Sequence, residues 1–155
     1  MTATAPVVGE RAPDLVLPDQ QGELRRLADV LADRHALVIF FPFAFSSICT
    51  GELLDIQLNI DEFANDRVQV LAVSCDPTYA LGAWAAQEGY RFPLLSDFWP
   101  HGEASRAWGV LDETSGTARR GTFLVDPSRT VRWRLDEEPG QMREVGVLHR
   151  AVRDL

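Results

Sequence analysis

Residues 36–42 read Ala-Leu-Val-Ile-Phe-Phe-Pro, an apolar run with no polar residue in it. Such a strand suits the buried centre of a sheet covered on both faces. Residues 68–74, Val-Gln-Val-Leu-Ala-Val-Ser, predict a second buried strand. From Cys49 the period changes: Leu53, Ile56, Ile60 and Phe63 fall at helical spacing and predict one amphipathic helix through residues 49–65. Residues 76–90 predict another, with Asp76 as N-cap and Pro77 at the first helical position. This is a βαβα run. Residues 13–27 alternate around a Pro-Asp-Gln-Gln-Gly turn and predict an N-terminal β-hairpin. Further along come a short strand at 92–96, a small helix near 102–109 and two strands at 121–135 around Asp-Pro-Ser-Arg. Val145, Leu148, Val152 and Leu155 mark a terminal amphipathic helix. The expected fold is α/β, a central mixed sheet flanked by helices, with 155 residues forming a single domain over 1–155.

No apolar stretch approaches the length of a membrane helix, and the first ten residues lack the basic and apolar regions of a secretory signal. A cytoplasmic protein is expected. Two cysteines fit a reducing compartment and no disulfide framework. A net charge of −8, with arginine as the sole strongly basic residue type, repels nucleic acid and anionic lipid. His35, His101 and His149 stand at no metal-binding spacing, and Trp84, Trp99, Trp108 and Trp133 read as packing or interface residues. Neither a metal nor an organic cofactor is expected.

Strand, loop and helix in succession put Cys49 in or near a first helical turn, where free N–H groups and the dipole favour an anion. Taking a thiol from an ordinary value of about 8.5 to roughly 6 asks a site for about 3.4 kcal/mol. A helix terminus supplies up to about 2. A reactive cysteine here therefore needs a cation as well, and spacing alone does not say which arginine provides it.

Residues 42–49, Pro-Phe-Ala-Phe-Ser-Ser-Ile-Cys, match the Pro-x-x-x-Thr/Ser-x-x-Cys signature of the peroxiredoxins, and residues 120–126, Arg-Gly-Thr-Phe-Leu-Val-Asp, resemble their Arg-Gly-x-Phe strand. Ala-Pro-Asp-Leu-Val-Leu near the start and Phe-Pro-Leu-Leu-Ser-Asp-Phe-Trp-Pro-His-Gly at 92–102 extend the likeness, which is most similar to the one-cysteine alkyl hydroperoxide reductase E class. The resemblance implies a thioredoxin-like fold and a thiol-dependent peroxidase acting on hydrogen peroxide and organic hydroperoxides. It makes Cys49 the peroxidatic cysteine, Pro42 its shield, Ser46 the hydroxyl that binds peroxide and Arg120 the activating guanidinium. It also implies that Glu52 orients that arginine, whereas Arg119 does not match the motif. The reductant implied is an external low-molecular-weight thiol or a glutaredoxin- or thioredoxin-like protein, and the assembly a homodimer or higher homo-oligomer with a contact near residues 97–102.

Plainer readings stand beside these. Cys49 alone reads as a small buried hydrophobe, Ser46 as a helix N-cap, Pro42 as a strand end and Arg120 as a solvated charge. Cys75, where a strand meets a helix, reads either as a structural thiol or as a resolving cysteine that pairs with Cys49. Leu54 occupies the position, five after Cys49, where one-chain resolving partners occur in the superfamily. Glu52, three after it, removes a Cys-x-x-Cys oxidoreductase. A scaffold or holdase with an incidental thiol is the non-enzymatic alternative.

Overall fold

Successive residues of the apolar run divide between two cores in the computed structural model, which describes residues 3–137 and 140–155. An antiparallel hairpin, β1 (Val16–Pro18) and β2 (Leu24–Arg26), leads into helix α1 (Leu27–Leu31). Then follow β3 (His35–Phe40), α2 (Ser47–Leu58), α3 (Ile60–Phe63), β4 (Val68–Ser74), α4 (Thr78–Glu88) and β5 (Leu94–Ser96). The chain continues through α5 (Glu103–Ala107), a small hairpin of β6 (Leu111–Asp112) and β7 (Thr117–Ala118), then β8 (Gly121–Val125), β9 (Val131–Asp136) and α6 (Val145–Arg153). The main sheet runs β5-β4-β3-β8-β9; β3, β4 and β5 are parallel, whereas β8 and β9 are antiparallel to their neighbours.

Leu37, Ile39 and Leu124 face one core, closed by Leu53 and Ile56 of α2, Trp84 of α4 and Leu148 of α6. Val38, Phe40, Phe123 and Val125 face the other, closed by Leu15, Leu27 and Trp108. A strand between two cores needs apolar side chains at every position, which is why residues 36–42 show no alternation. The N-terminal hairpin, the buried centre, the mixed sheet, the cover on both faces and the amphipathic last helix all match the reading of the sequence.

Two boundaries differ from it. The Leu53–Phe63 stripe is two helices, because Asn59 leaves the helical region (φ −118°, ψ 30°) and its side-chain amide donates to the Asp55 carbonyl at 2.8 Å. Asp76 does not cap α4. Pro77 takes the cap position with no side-chain hydrogen bond, because the Asp76 carboxylate turns away to accept from the Ala44 N–H at 2.8 Å and the Ser74 hydroxyl at 2.7 Å. The β6–β7 hairpin was not apparent from periodicity; its turn rests on Asp112, which accepts from the Thr114 N–H at 2.9 Å.

The expected Asp-Pro-Ser-Arg turn joins β8 to β9 and is organised by Asp126. Its carboxylate accepts from the Ser128 hydroxyl at 2.7 Å, the Thr130 N–H at 2.9 Å and Arg132 Nε at 2.6 Å. Burial pushes this carboxyl up, but the Ser128, Thr130 and Arg132 contacts outweigh it and bring it down to about 2. A carboxyl depressed by folding stabilises the fold above its unfolded value of about 3.9 and loses that contribution as pH falls through the folded one. Melting temperature should therefore fall between pH 4 and about 2. Asp126→Asn is expected to flatten that part of the profile; an unchanged slope would refute the assignment.

Candidate active site

The loop after β3 leads directly to Cys49. Ser46, extended at φ −67° and ψ 148°, is the N-cap of α2, and its Oγ accepts from the Cys49 N–H at 3.2 Å. Cys49 is the third residue of the helix and fully buried. Thr122 of β8 pairs with Ile39 of β3, so the chain just before β8 lies beside the chain just after β3. That register brings Arg120 to the sulfur: Nη2 donates to Cys49 Sγ at 3.1 Å. The guanidinium also donates through Nε to Glu52 Oε1 at 3.2 Å. Glu52 lies three residues after Cys49, on the same face of α2.

The other oxygen of Glu52 is taken by Arg143, a residue to which no motif or periodicity pointed. Its backbone N–H and Nε–H donate to Glu52 Oε2 at 2.7 and 3.0 Å. Its remaining donors go to Thr122 Oγ1 at 2.9 Å and to the Phe40 carbonyl. Burial pulls the Arg143 guanidinium below its ordinary value, and Glu52 opposes that pull. Two buried guanidiniums and one carboxylate carry a surplus positive charge in a medium where unpaired charge is costly. Among the described residues, the one further partner of this cluster on α2 is the Cys49 sulfur, to which Arg120 donates.

A cavity of about 380 Å³ opens beside this cluster, lined by Pro42, Phe43, Ser46, Ile48, Ala118 and Arg120. The unanticipated β6–β7 hairpin provides its far wall through Thr117 and Ala118. Arg119 also borders this cavity but is exposed and donates to the Gly109 carbonyl at 2.9 Å, so of the two adjacent arginines only Arg120 meets the sulfur.

Pro42, Ser46, Cys49, Glu52 and Arg120 are thus gathered at one place, and Cys75 is not part of that cluster. Both cysteines are free. The Cys75 sulfur is 3.9 Å from Ser105 Oγ, and its thiol is pushed up to about 11, first by burial and then by Asp97 and Asp76. The histidines also lie apart: His101 contacts the Gly116 carbonyl at 2.7 Å and His149 pairs with Glu62. Trp84 and Trp108 are core residues, Trp133 packs against the first core and Trp99 is exposed.

A thioredoxin-like sheet with a buried cysteine at a helix start and an arginine on its sulfur defines a peroxiredoxin. Residues 8–134 match the AhpC/TSA family, and the chain belongs to it, making it a thiol-dependent peroxidase. The chain is 45% identical over 137 residues to alkyl hydroperoxide reductase E of Mycobacterium tuberculosis, covering 88% of this chain and 90% of that protein. Among solved structures it is similar to peroxidoxin BcpB of M. tuberculosis, with a TM-score of 0.87 and 28% identity over 97% of this chain and 98% of that one. Enterococcus faecalis AhpC superposes with a TM-score of 0.84 and 29% identity, covering 96% and 92%.

Proposed function

We propose that the chain reduces hydrogen peroxide and organic hydroperoxides in a one-cysteine cycle. The observation that carries this reading is the 3.1 Å contact from Arg120 Nη2 to Cys49 Sγ. The Cys49 thiolate attacks the terminal oxygen of R–O–O–H; an S–O bond forms, the O–O bond breaks, and the leaving alkoxide takes a proton to become R–OH. Arg120 and the N–H groups at the start of α2 stabilise charge that grows on the leaving oxygen. Ser46 serves as a hydrogen-bond partner for the peroxide, Pro42 walls out water, and the Glu52–Arg143 pair orients Arg120. Cys49 is left as sulfenic acid. One external thiol condenses with it to a mixed disulfide, releasing water, and a second thiol restores Cys49 and leaves as a disulfide. This chemistry calls for neither metal nor organic cofactor.

Two observations favour the one-cysteine mode: Cys75 has its own buried surroundings, and its raised thiol makes a poor attacking group at neutral pH. The reductant is then a low-molecular-weight thiol or a glutaredoxin- or thioredoxin-like protein. A homodimer, the assembly the resemblance implies, would cover the exposed Phe43, Phe45, Tyr79 and Trp99, all in segments that follow the carboxyl ends of β3, β4 and β5. The proposed setting is the cytoplasm; among the described residues no helix is long and apolar enough to cross a membrane.

Intact mass after one equivalent of peroxide, without added thiol, tests the cycle. A gain of one oxygen, about 16 Da, is expected in the parent and equally in Cys75→Ser. A loss of two hydrogens that disappears in Cys75→Ser would replace the proposal with a Cys49–Cys75 disulfide cycle recycled by thioredoxin.

A further inference from the structure

The segment between β3 and α2 holds a strained residue immediately before the cap of the reactive helix. Phe45 has φ of 70°, a left-handed conformation that crowds the Cβ of an L-residue. Residues held in such conformations persist where their surroundings over-determine them. On one side of Phe45 is Ser46, whose hydroxyl receives the Cys49 N–H. On the other is Ala44, whose N–H donates to Asp76 Oδ2 at 2.8 Å. The same oxygen accepts from the Ser74 hydroxyl at 2.7 Å, and the Asp76 carbonyl accepts from the Ser96 hydroxyl at 2.6 Å. Asp76 is thereby fixed to the ends of β4 and β5 while its carboxylate reaches the loop after β3. Charge-assisted bonds of this kind are about twice as strong as neutral ones.

We propose that Asp76 is a positioning residue for peroxide reduction. By clamping Ala44 it keeps Phe45 left-handed, and that turn sets the direction in which the chain delivers Ser46 to the mouth of the cavity. Released from the clamp, Phe45 relaxes to negative φ and the Ser46 hydroxyl leaves the position where it meets peroxide. Cys49 loses only the Ser46 cap on its own N–H and keeps its place in the body of α2 and its contact with Arg120. Loss of the clamp should therefore impair the reaction with peroxide and leave simpler reactions of the same sulfur intact. This inference rests on Cys49 being the peroxidatic residue.

The test compares peroxide reduction with alkylation of Cys49 by iodoacetamide, which needs the thiolate but not Ser46. Asp76→Ala is expected to slow peroxide reduction about 10-fold or more, as misplaced reacting groups do, with alkylation changed by less than about twofold. Asp76→Asn keeps an oxygen that accepts from Ala44 and Ser74, and should stay within about threefold of the parent. The proposal is overturned by an Asp76→Ala rate within twofold of the parent, by equal losses in both reactions, or by an Asn variant as slow as the Ala one. A measurement on the unaltered reduced protein guards against a variant that does not fold: the Ala44 amide should exchange slowly with solvent, and exchange as fast as a free loop amide would also overturn the clamp. Peroxide consumption surviving Cys49→Ser would instead remove the peroxidase reading, and would leave the protection of Ala44 unaffected.

Discussion

Cys49→Ser is expected to lower peroxide reduction by about 10⁴-fold or more, the scale on which removing a covalent nucleophile acts. Serine is close to isosteric with cysteine, so the packing around position 49 against Leu53 and the rest of that core is retained. What is lost is a nucleophile that can act as its anion. A hydroxyl needs a general base to attack, and the imidazoles are engaged elsewhere or distant in sequence and fold: His101 at the Gly116 carbonyl, His149 at Glu62 and His35 at the opposite end of β3. Arg120 offers its N–H donors to the 49 side chain and takes no proton from it. Tryptophan fluorescence should report the same loss, because Trp84 donates to Thr50 Oγ1 at 3.3 Å, one residue from the sulfur. A fast fluorescence change on adding peroxide to Cys49→Ser, or undiminished peroxide consumption, would refute the mechanism.

Arg120→Leu is the second large effect, and it acts on rate and stability together. Removing a donor aimed at developing charge costs about 10²–10³-fold in comparable sites, and that loss is expected in the second-order rate with peroxide. Leucine also leaves Glu52 Oε1 buried without its 3.2 Å partner, which should cost about 1–3 kcal/mol of folding free energy. Arg120→Lys should recover little of the rate, since an ammonium on a flexible stem does not present the planar fork that reaches Glu52 and the sulfur at once. Arg119→Leu is the control: its guanidinium serves the Gly109 carbonyl, and its rate should change by less than about threefold. Stopped-flow kinetics on the three variants, with thermal melts alongside, decides this; an Arg119 variant as slow as the Arg120 one would show that general positive charge, not the aimed donor, matters.

Much of this site is legible in the sequence alone, for reasons that differ between residues. Ser46 as a cap and Cys49 in the first turn follow from a local change of period, which a short window of sequence contains. Arg120 and Glu52 were reached through a likeness of motifs, since an arginine at a strand edge carries no sign of what it will touch. Arg143 lies in a polar stretch without periodicity and left no trace, yet it donates two hydrogen bonds to the central carboxylate where Arg120 donates one. Asp76 did give a signal, but for another role: an acid before proline ahead of a helix reads as a cap, and only the proximity of Ala44 turned it to a different donor.

The chain by itself determined the kinds of element and the two-sided burial of the central strands, because helical and strand periods, caps and turns are set by neighbours a few residues apart. Which charges meet was decided only on folding. Arg120 and Cys49 are 71 residues apart, and Arg143 and Glu52 are 91 apart. Their contact depends on the register of β8 against β3 and on Arg143 meeting the last carbonyl of β3. Those placements pair charges that would be costly if buried alone, and partners so far apart are not contained in any local stretch of sequence.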